Sequence, residues 1–284
     1  MDWYEKNDCL IIKVPIKRNK NWSQTFLLTS DIHIDSKKCQ TLKLKQHLEE
    51  LKERDAYLID NGDIFDCMGG KYDKRSNKAD ILTKLQGANY FDLLNDHAVD
   101  ILGPHADRII MLADGNHELS VTQRHEIDLI QRLQNTLNRD HGGNIIRQGY
   151  AGWIKFEFDE GGNSGKGLIM YRTHGNGGNA PVTKGVIQSA RRQDMIDADV
   201  YISGHIHTNY TVPRPMWYIT RDGVMKIKEK FHHQLGTYKD SSKSTWETMK
   251  GFAPPSLGGT WITFRCRTDD RGTYEITVEF TRAW

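Results

Sequence analysis

Five short apolar runs in this chain each end in a loop that carries Asp, Asn or His. Thr25–Thr29 runs into Ser30-Asp31-Ile32-His33, and Ala56–Ile59 into Asp60-Asn61-Gly62-Asp63-Ile64-Phe65-Asp66. Arg108–Leu112 runs into Ala113-Asp114-Gly115-Asn116-His117-Glu118. Leu168–Tyr171 ends at Arg172-Thr173-His174-Gly175, and Val200–Ser203 at Gly204-His205-Ile206-His207. Short β-favouring runs bounded by turn formers read as strands. Helical patterns separate the first ones. Thr41–Glu53 places leucines at 44, 48 and 51, and Asp80–Val99 contains a helix despite Gly87. Gln123–Leu137 sets Ile127, Ile130, Leu133 and Leu137 on one side of a helix. Strands alternating with helices build βαβ units and a sheet with covered faces. In such folds the loops at the carboxyl ends of the strands converge on one crevice. The five loops therefore have the opportunity to form one site.

The second half is mostly β. Ile154–Phe158 reads as a strand, Glu160–Lys166 as a Gly-rich turn and Val182–Met195 as a helix. Met216–Thr220 and Val224–Lys228 flank Asp222-Gly223, a hairpin pattern. Trp261–Arg265 and Thr273–Phe280 form a second hairpin candidate, and Gly236–Lys250 reads as a polar surface loop. At strand spacing, Trp217 and Trp261 are expected in the core. Residues 251–259, with two prolines and three glycines, are expected to lie over the cleft or to close the second sheet. No repeat or linker divides the chain. We expect one domain over residues 1–284, its motifs in 26–207 and a mainly β part, 208–284, completing the fold.

The 284 residues suffice for one large core. A net charge of +2 neither demands nor excludes a polyanionic partner. The N-terminus has no signal-peptide pattern, and no apolar stretch is long enough to span a bilayer. The four cysteines form no CxxC pair, which disfavours a disulfide framework or a cysteine zinc site. A cytoplasmic location without a membrane or an obligate protein partner is the expectation.

The chemistry rests on the loops. Carboxylate and imidazole donors together suit Mn²⁺, Fe or Zn²⁺ better than Mg²⁺ alone. Asp31, His33, Asp63, Asn116, His174, His205 and His207 are numerous enough for two ions, and Asp63 has two oxygens with which to bridge them. Taken singly, each residue has a structural alternative. Asp31 and His33 are possible caps, Asn116 a turn former, and Glu118 suits the first turn of a helix.

The ordered set resembles the calcineurin-like metallophosphoesterase family. The resemblance rests on Asp31-x-His33, Gly62-Asp63-x-x-Asp66, Gly115-Asn116-His117-Glu118, His174 and Gly204-His205-x-His207. It implies an α/β fold, a metallophosphoesterase-like sandwich of two mixed β-sheets flanked by helices. It also implies that Asp31, His33 and His207 hold one metal, that Asn116, His174 and His205 hold the other, and that Asp63 bridges. His117 would serve as general acid or charge stabiliser, and Asp66 would orient His117 or a ligand. The implied reaction is phosphoester hydrolysis by a hydroxide bridging two divalent ions roughly 3.5–4 Å apart. Mn²⁺ is the expected metal, with Fe, Zn²⁺ and Ni²⁺ as alternatives.

The substrate is less constrained. Asp66–Lys84 carries Lys71, Tyr72, Lys74, Arg75, Lys78 and Lys84, suited to a phosphate backbone and a stacked base. Asp73 and Asp80 dilute this charge, so a solvated loop is the competing reading. Arg172, Lys184, Arg191 and Arg192 lie near His174 in sequence. Arg172 shares a strand face with His174. Trp246 and Trp284 add to the aromatic content of the tail. The preferred expectation is a phosphodiesterase acting on DNA, RNA or nucleotides. A phosphomonoesterase or Ser/Thr protein phosphatase is the alternative, and a metal-binding scaffold without catalysis is the third.

Overall fold

The computed structural model describes residues 1–17, 21–72, 76–159, 167–177, 186–242, 253–268 and 274–284. The expected turn at Glu160–Lys166 lies outside them. So do Asp73, Lys74, Arg75, Lys184 and Trp246, the first turn of the Val182–Met195 pattern, and Gly251-Phe252. The strands are β1 Asp2–Lys6, β2 Cys9–Pro15, β3 Ser23–Thr29, β4 Tyr57–Asp60, β5 Ile109–Ala113, β6 Ile146–Gln148, β7 Ala151–Asp159 and β8 Gly167–Thr173. They continue with β9 Val200–Ser203, β10 Tyr210–Ile219, β11 Met225–Gln234, β12 Thr260–Thr268 and β13 Tyr274–Arg282. The helices are α1 Thr41–Glu53, α2 Tyr90–Leu102, α3 Asn116–His125, α4 Leu129–Asp140 and α5 Val186–Met195.

The strands form two mixed sheets. One runs β1-β2-β7-β8-β9-β11-β10 and the other β13-β12-β3-β4-β5-β6. β3, β4, β5 and β6 are parallel neighbours, as are β8, β9 and β11. Helices flank the pair, so the sandwich expected from the sequence is present.

Period-two alternation explains the layers. On β3, Phe26 and Leu28 face the other sheet, whereas Leu27 faces the helices. Ile59 and Leu58 on β4, and Ile110 and Ile109 on β5, divide the same way. Between the sheets, Phe26, Phe156, Phe158 and Phe264 meet edge-on with centroids 4.8–5.8 Å apart. Such aromatic pairs add about 0.5–1.5 kcal/mol beyond their buried area. On the outer face, α1 buries Leu44, Leu48 and Leu51 beside Leu94 of α2 and Leu133 and Leu137 of α4. α5 packs against β11 of the other sheet.

The structure corrects several expectations. The Gln123–Leu137 helix is two helices. Glu126 adopts a left-handed conformation (φ 56°) and ends α3, and the Asp128 carboxylate then accepts the Gln131 amide at 2.8 Å to start α4. The apolar spacing continues across this break, so periodicity alone does not reveal it. The helix expected within Asp80–Val99 begins at Tyr90, after two short 3₁₀ turns. The second-half hairpin is longer than expected, spanning β10 and β11. Trp261 is buried as expected, but Trp217 is 67% exposed. It sits near the tip of that hairpin, paired with the exposed Ile227. The β1–β2 hairpin and β6 were not anticipated. All four cysteines are free thiols. Among the described residues, no helix is long and apolar enough to cross a membrane.

Candidate metal centre

Three parallel strands of one sheet and two of the other deliver the five loops to one place. The Asp31 and His33 amides donate to the Gly62 and Asp63 carbonyls at 2.9 and 3.1 Å, locking the β3 and β4 loops together. Across the sandwich, the Asn61 side chain donates to the Thr173 carbonyl at 2.9 Å, and the His205 amide donates to Asp31 Oδ2 at 2.9 Å. The backbone is under strain here. Asp31, His33, Asp63, Cys67, His205 and His207 all have φ between 50° and 73°. Non-glycine residues in this region each cost on the order of 1–3 kcal/mol and persist where the surroundings hold them.

Glycines give way at points of close approach. A Cβ on Gly115 would stand 2.0 Å from Asp63 Oδ1, and one on Gly204 2.0 Å from Ser30 Oγ. The sharp exit from β9 therefore does not use left-handed freedom at Gly204. The positive φ falls on His205 and His207 instead.

Three groups of donors converge. Asp31, His33 and His207 form one, Asp63, His174 and His205 another, and His33, Asp63 and His117 a third. His207 Nε2 lies 3.2 Å from Asp31 Oδ1, and His33 Nε2 and His174 Nε2 each lie 3.9 Å from it. His174 Nε2 lies 3.1 Å from Asp63 Oδ2, and His117 Nε2 lies 3.7 Å from it. Asn116 occupies the first position of α3. The structure thus brings six of the seven expected ligands into these groups, with His117 in the third and Asp66 beside His33, whereas Asn116 belongs to none of them and shows only a buried, unpartnered Oδ1.

Groups behind the donors orient them. His174 Nδ1 lies 3.0 Å from the Asn61 carbonyl, which turns Nε2 toward Asp63. His33 Nδ1 lies 3.1 Å from Asp66 Oδ1, leaving Nε2 for the Asp31 side. A histidine tied through one nitrogen to a carboxylate or carbonyl is the usual arrangement behind a metal. His117 Nδ1 donates to the Asp66 carbonyl at 2.6 Å, and its amide donates to Asp63 Oδ1 at 3.0 Å.

Three supports were not read from the sequence. Lys239 Nζ donates to both Asp66 oxygens, at 2.7 and 2.9 Å. Asp35 accepts from the Asp66 and Cys67 amides and from the Tyr90 hydroxyl. The Ser256 amide donates to the His207 carbonyl at 2.8 Å, so the tail loop braces a ligand. Glu118 touches the site through backbone, accepting from the Asp63, Phe65 and Gly115 amides. Arg172 is buried and spends its guanidinium on Asn61 Oδ1 and the Gly149 and Tyr150 carbonyls. It holds the Asn61 hub and has no exposed face for a phosphate. Lys84 turns away to His97.

Electrostatics match a site built around positive charge. Burial pushes the Asp63 carboxyl up, but the His174 and His117 imidazoles outweigh it and hold it well below the usual range. Burial likewise opposes ionisation of Asp31, and His174 and His207 outweigh it. Burial lowers His174, yet Asp63 and Asp31 raise it to about 10. His33 is lowered to about 4, chiefly by burial. Asp60 is raised to about 7 by burial, and Glu118 well above its ordinary value by burial and the Asp63 charge. Asp31 Oδ1, His33 Nε2, Asn116 Oδ1 and His174 Nε2 are buried without a properly directed hydrogen bond. Uncompensated buried donors of this kind are costly unless a ligand or ion engages them. Mixed carboxylate, amide and imidazole donors fit divalent transition ions.

No family model matches the chain, and no curated protein does. Solved structures similar to it include GAP50, described as the anchor in the inner membrane complex of Plasmodium. It is 13% identical with a TM-score of 0.46, over 92% of this chain and 85% of that one. Vps29 of Chaetomium thermophilum is 13% identical with a TM-score of 0.34, over 91% and 95%. A metallophosphoesterase from Sphaerobacter thermophilus is 12% identical with a TM-score of 0.37, over 91% and 89%. Likenesses of this size carry no weight for function, which rests on the residues of the site itself.

Proposed function

We propose that the chain is a metal-dependent phosphoesterase, acting on phosphodiesters of nucleic acid or nucleotides. The convergence of Asp31, His33, Asp63, His174, His205 and His207 at one place carries this reading, supported by the buried, unengaged atoms of Asp31, His33 and His174. Asp31, His33 and His207 would hold one divalent ion, and Asn116, His174 and His205 the other, with Asp63 between them. When bound, such ions supply Lewis acidity for a phosphoryl oxygen and for the attacking water. Mn²⁺ is our first choice, on donor chemistry alone.

The chain's own residues do the rest. Asp66 fixes the His33 ring, and Lys239 fixes Asp66. His117 is only 12% exposed, and its Nδ1 is committed to the Asp66 carbonyl, so Nε2 is left facing the Asp63 side. From there it can hold a proton and deliver it to the departing oxygen, a contribution worth about 10²–10⁴-fold in rate. His117 also belongs to a donor group with His33 and Asp63, so its assignment needs a test. His117→Ala should cut turnover by that factor while metal content stays constant. Loss of a metal ion in that variant would reassign His117 as a ligand.

The reaction class is tested with metal-free protein reloaded with Mn²⁺, comparing bis-p-nitrophenyl phosphate with p-nitrophenyl phosphate. Diester turnover that disappears in Asp63→Ala is expected. Turnover of the monoester alone would make the chain a phosphatase. Metal binding without turnover of either would make it a scaffold.

A further inference from the structure

A cavity of about 670 Å³ opens beside the loop that follows Asp66. Its size is that of a small-molecule site. Tyr72, Phe91 and His125 form a ladder of rings along it. Phe91 meets His125 edge-on at 4.9 Å, and Tyr72 lies over His125 at 5.4 Å with a tilt of 34°. The inner rings are packed, but Tyr72, the outermost, is 63% exposed. Lys71 places its ammonium over the Tyr72 ring, 5.6 Å from the centroid, and Lys78 and Arg132 stand on the lining. Arg132 is shared with Asp92 at 3.1 Å. Among the described residues, Lys71 and Lys78 form no ion pair.

The cavity is tied to the metal centre in two ways. His117 and His125 lie near opposite ends of α3, separated along its axis by about 12 Å at roughly 1.5 Å per residue. Tyr90, on the lining, donates to Asp35 at 2.9 Å, and Asp35 in turn accepts the Asp66 amide.

We infer that this cavity is a nucleobase subsite, in which a base stacks on Tyr72 while Lys71 and Lys78 engage the adjoining phosphates. The inference rests on the phosphodiesterase reading and names the substrate class for it. A 63% exposed ring whose covering ammonium sits on a flexible lysine stem can take any base that displaces that ammonium, because every base has a π-face. Paired cations beside it suit a charged backbone. An acidic peptide would use the lysines and leave the rings idle. The roughly 12 Å of helix between His117 and His125 corresponds to about three to four nucleotides of a stacked strand at roughly 3.4 Å each. The substrate that uses both is therefore a short single-stranded segment.

The test is fluorescence anisotropy with labelled single-stranded oligothymidylate and an abasic oligomer of equal length. It uses the full chain in EDTA, where turnover does not consume the probe. Wild type should bind the base-bearing strand at least about tenfold more tightly, the scale of one base–aromatic stack. Tyr72→Ala should erase that difference, and Lys71→Ala with Lys78→Ala should weaken both probes. Since Tyr72 is exposed, its removal should leave thermal unfolding unchanged. Equal binding of the two probes by wild type, or full discrimination in Tyr72→Ala, would overturn the subsite. Mn²⁺-dependent turnover of bis-p-nitrophenyl phosphate is measured in parallel. It should be the same in Tyr72→Ala and wild type, because this small diester does not span to the cavity. Turnover without base discrimination removes the subsite and keeps the phosphodiesterase. Discrimination without turnover does the reverse.

Discussion

Lys239→Met removes the cation that holds Asp66 and keeps most of the aliphatic stem. The Asp66 carboxylate is almost completely buried, and Lys239 contacts both of its oxygens at 2.7 and 2.9 Å from a side chain 16% exposed. At 2.7 Å the attraction is about 6 kcal/mol with an effective dielectric of about 20. Desolvation of both groups offsets much of that in the intact pair. Removing one partner leaves the other charge buried, which costs about 3–5 kcal/mol. The low end, about 3 kcal/mol, applies because His33 still faces Asp66 and water can follow the partly exposed lysine path. For a chain of this size, that corresponds to a melting temperature lower by about 6–12 °C. The loosened Asp66 also stops fixing the His33 ring. The affinity of the Asp31, His33 and His207 group for Mn²⁺ should then fall by about 10–100-fold, as for other partners behind a metal ligand. Differential scanning calorimetry and isothermal titration with Mn²⁺ read the two effects. A melting temperature within about 1 °C of wild type together with unchanged Mn²⁺ affinity would refute the reasoning.

Three other perturbations test separate parts of the structure. Gly115→Ala places a methyl 2.0 Å from Asp63 Oδ1 and 2.3 Å from the Asp63 amide, so the loop must shift and bound metal should be lost on elemental analysis. Phe264→Ala empties the middle of the aromatic cluster between the sheets and should cost about 3–5 kcal/mol in denaturant unfolding, without altering the metal donors. His232 and His233 are lowered to about 4 and about 3, mainly by burial, so the unfolded chain takes up their protons first as pH falls. Their contribution is complete above the unfolded value of about 6.5 and declines toward pH 4, by up to about 1.4 kcal/mol per pH unit for each group. Urea midpoints across this range should fall with pH, and the slope should flatten when both are replaced by glutamine.

The strand-end loops were legible because each needed only local information. A short apolar run and a loop of distinctive residues sufficed for Asp31, Asp63, His117, His174 and His205. α1 and β9 lie at their expected bounds, since leucine spacing and a β-branched run mark them clearly. The α3–α4 break was hidden because Ile127, inside the break, keeps helical spacing with Ile130, Leu133 and Leu137 of the next helix. Trp217 was misplaced because alternation assigns a face but does not tell whether another sheet covers it. β1 escaped notice because an edge strand exposed along most of its length has little apolar pattern to read. Lys239 and Asp35 carry no motif. Lys239 reaches Asp66 across 173 positions of sequence only because the chain returns after β11 to the end of β3, where the Thr237 hydroxyl and the Tyr238 amide donate to the Asp31 carbonyl.

The central claim is that Asp31, His33, Asp63, Asn116, His174, His205 and His207 form one centre for two divalent ions. Isothermal titration of Mn²⁺ into the metal-free chain, beside the Asp63→Ala variant, tests it most directly. The account predicts two ions per wild-type chain and loss of both sites in the variant, because Asp63 stands between them. Absence of specific binding in wild type, or binding that Asp63→Ala leaves intact, would contradict it.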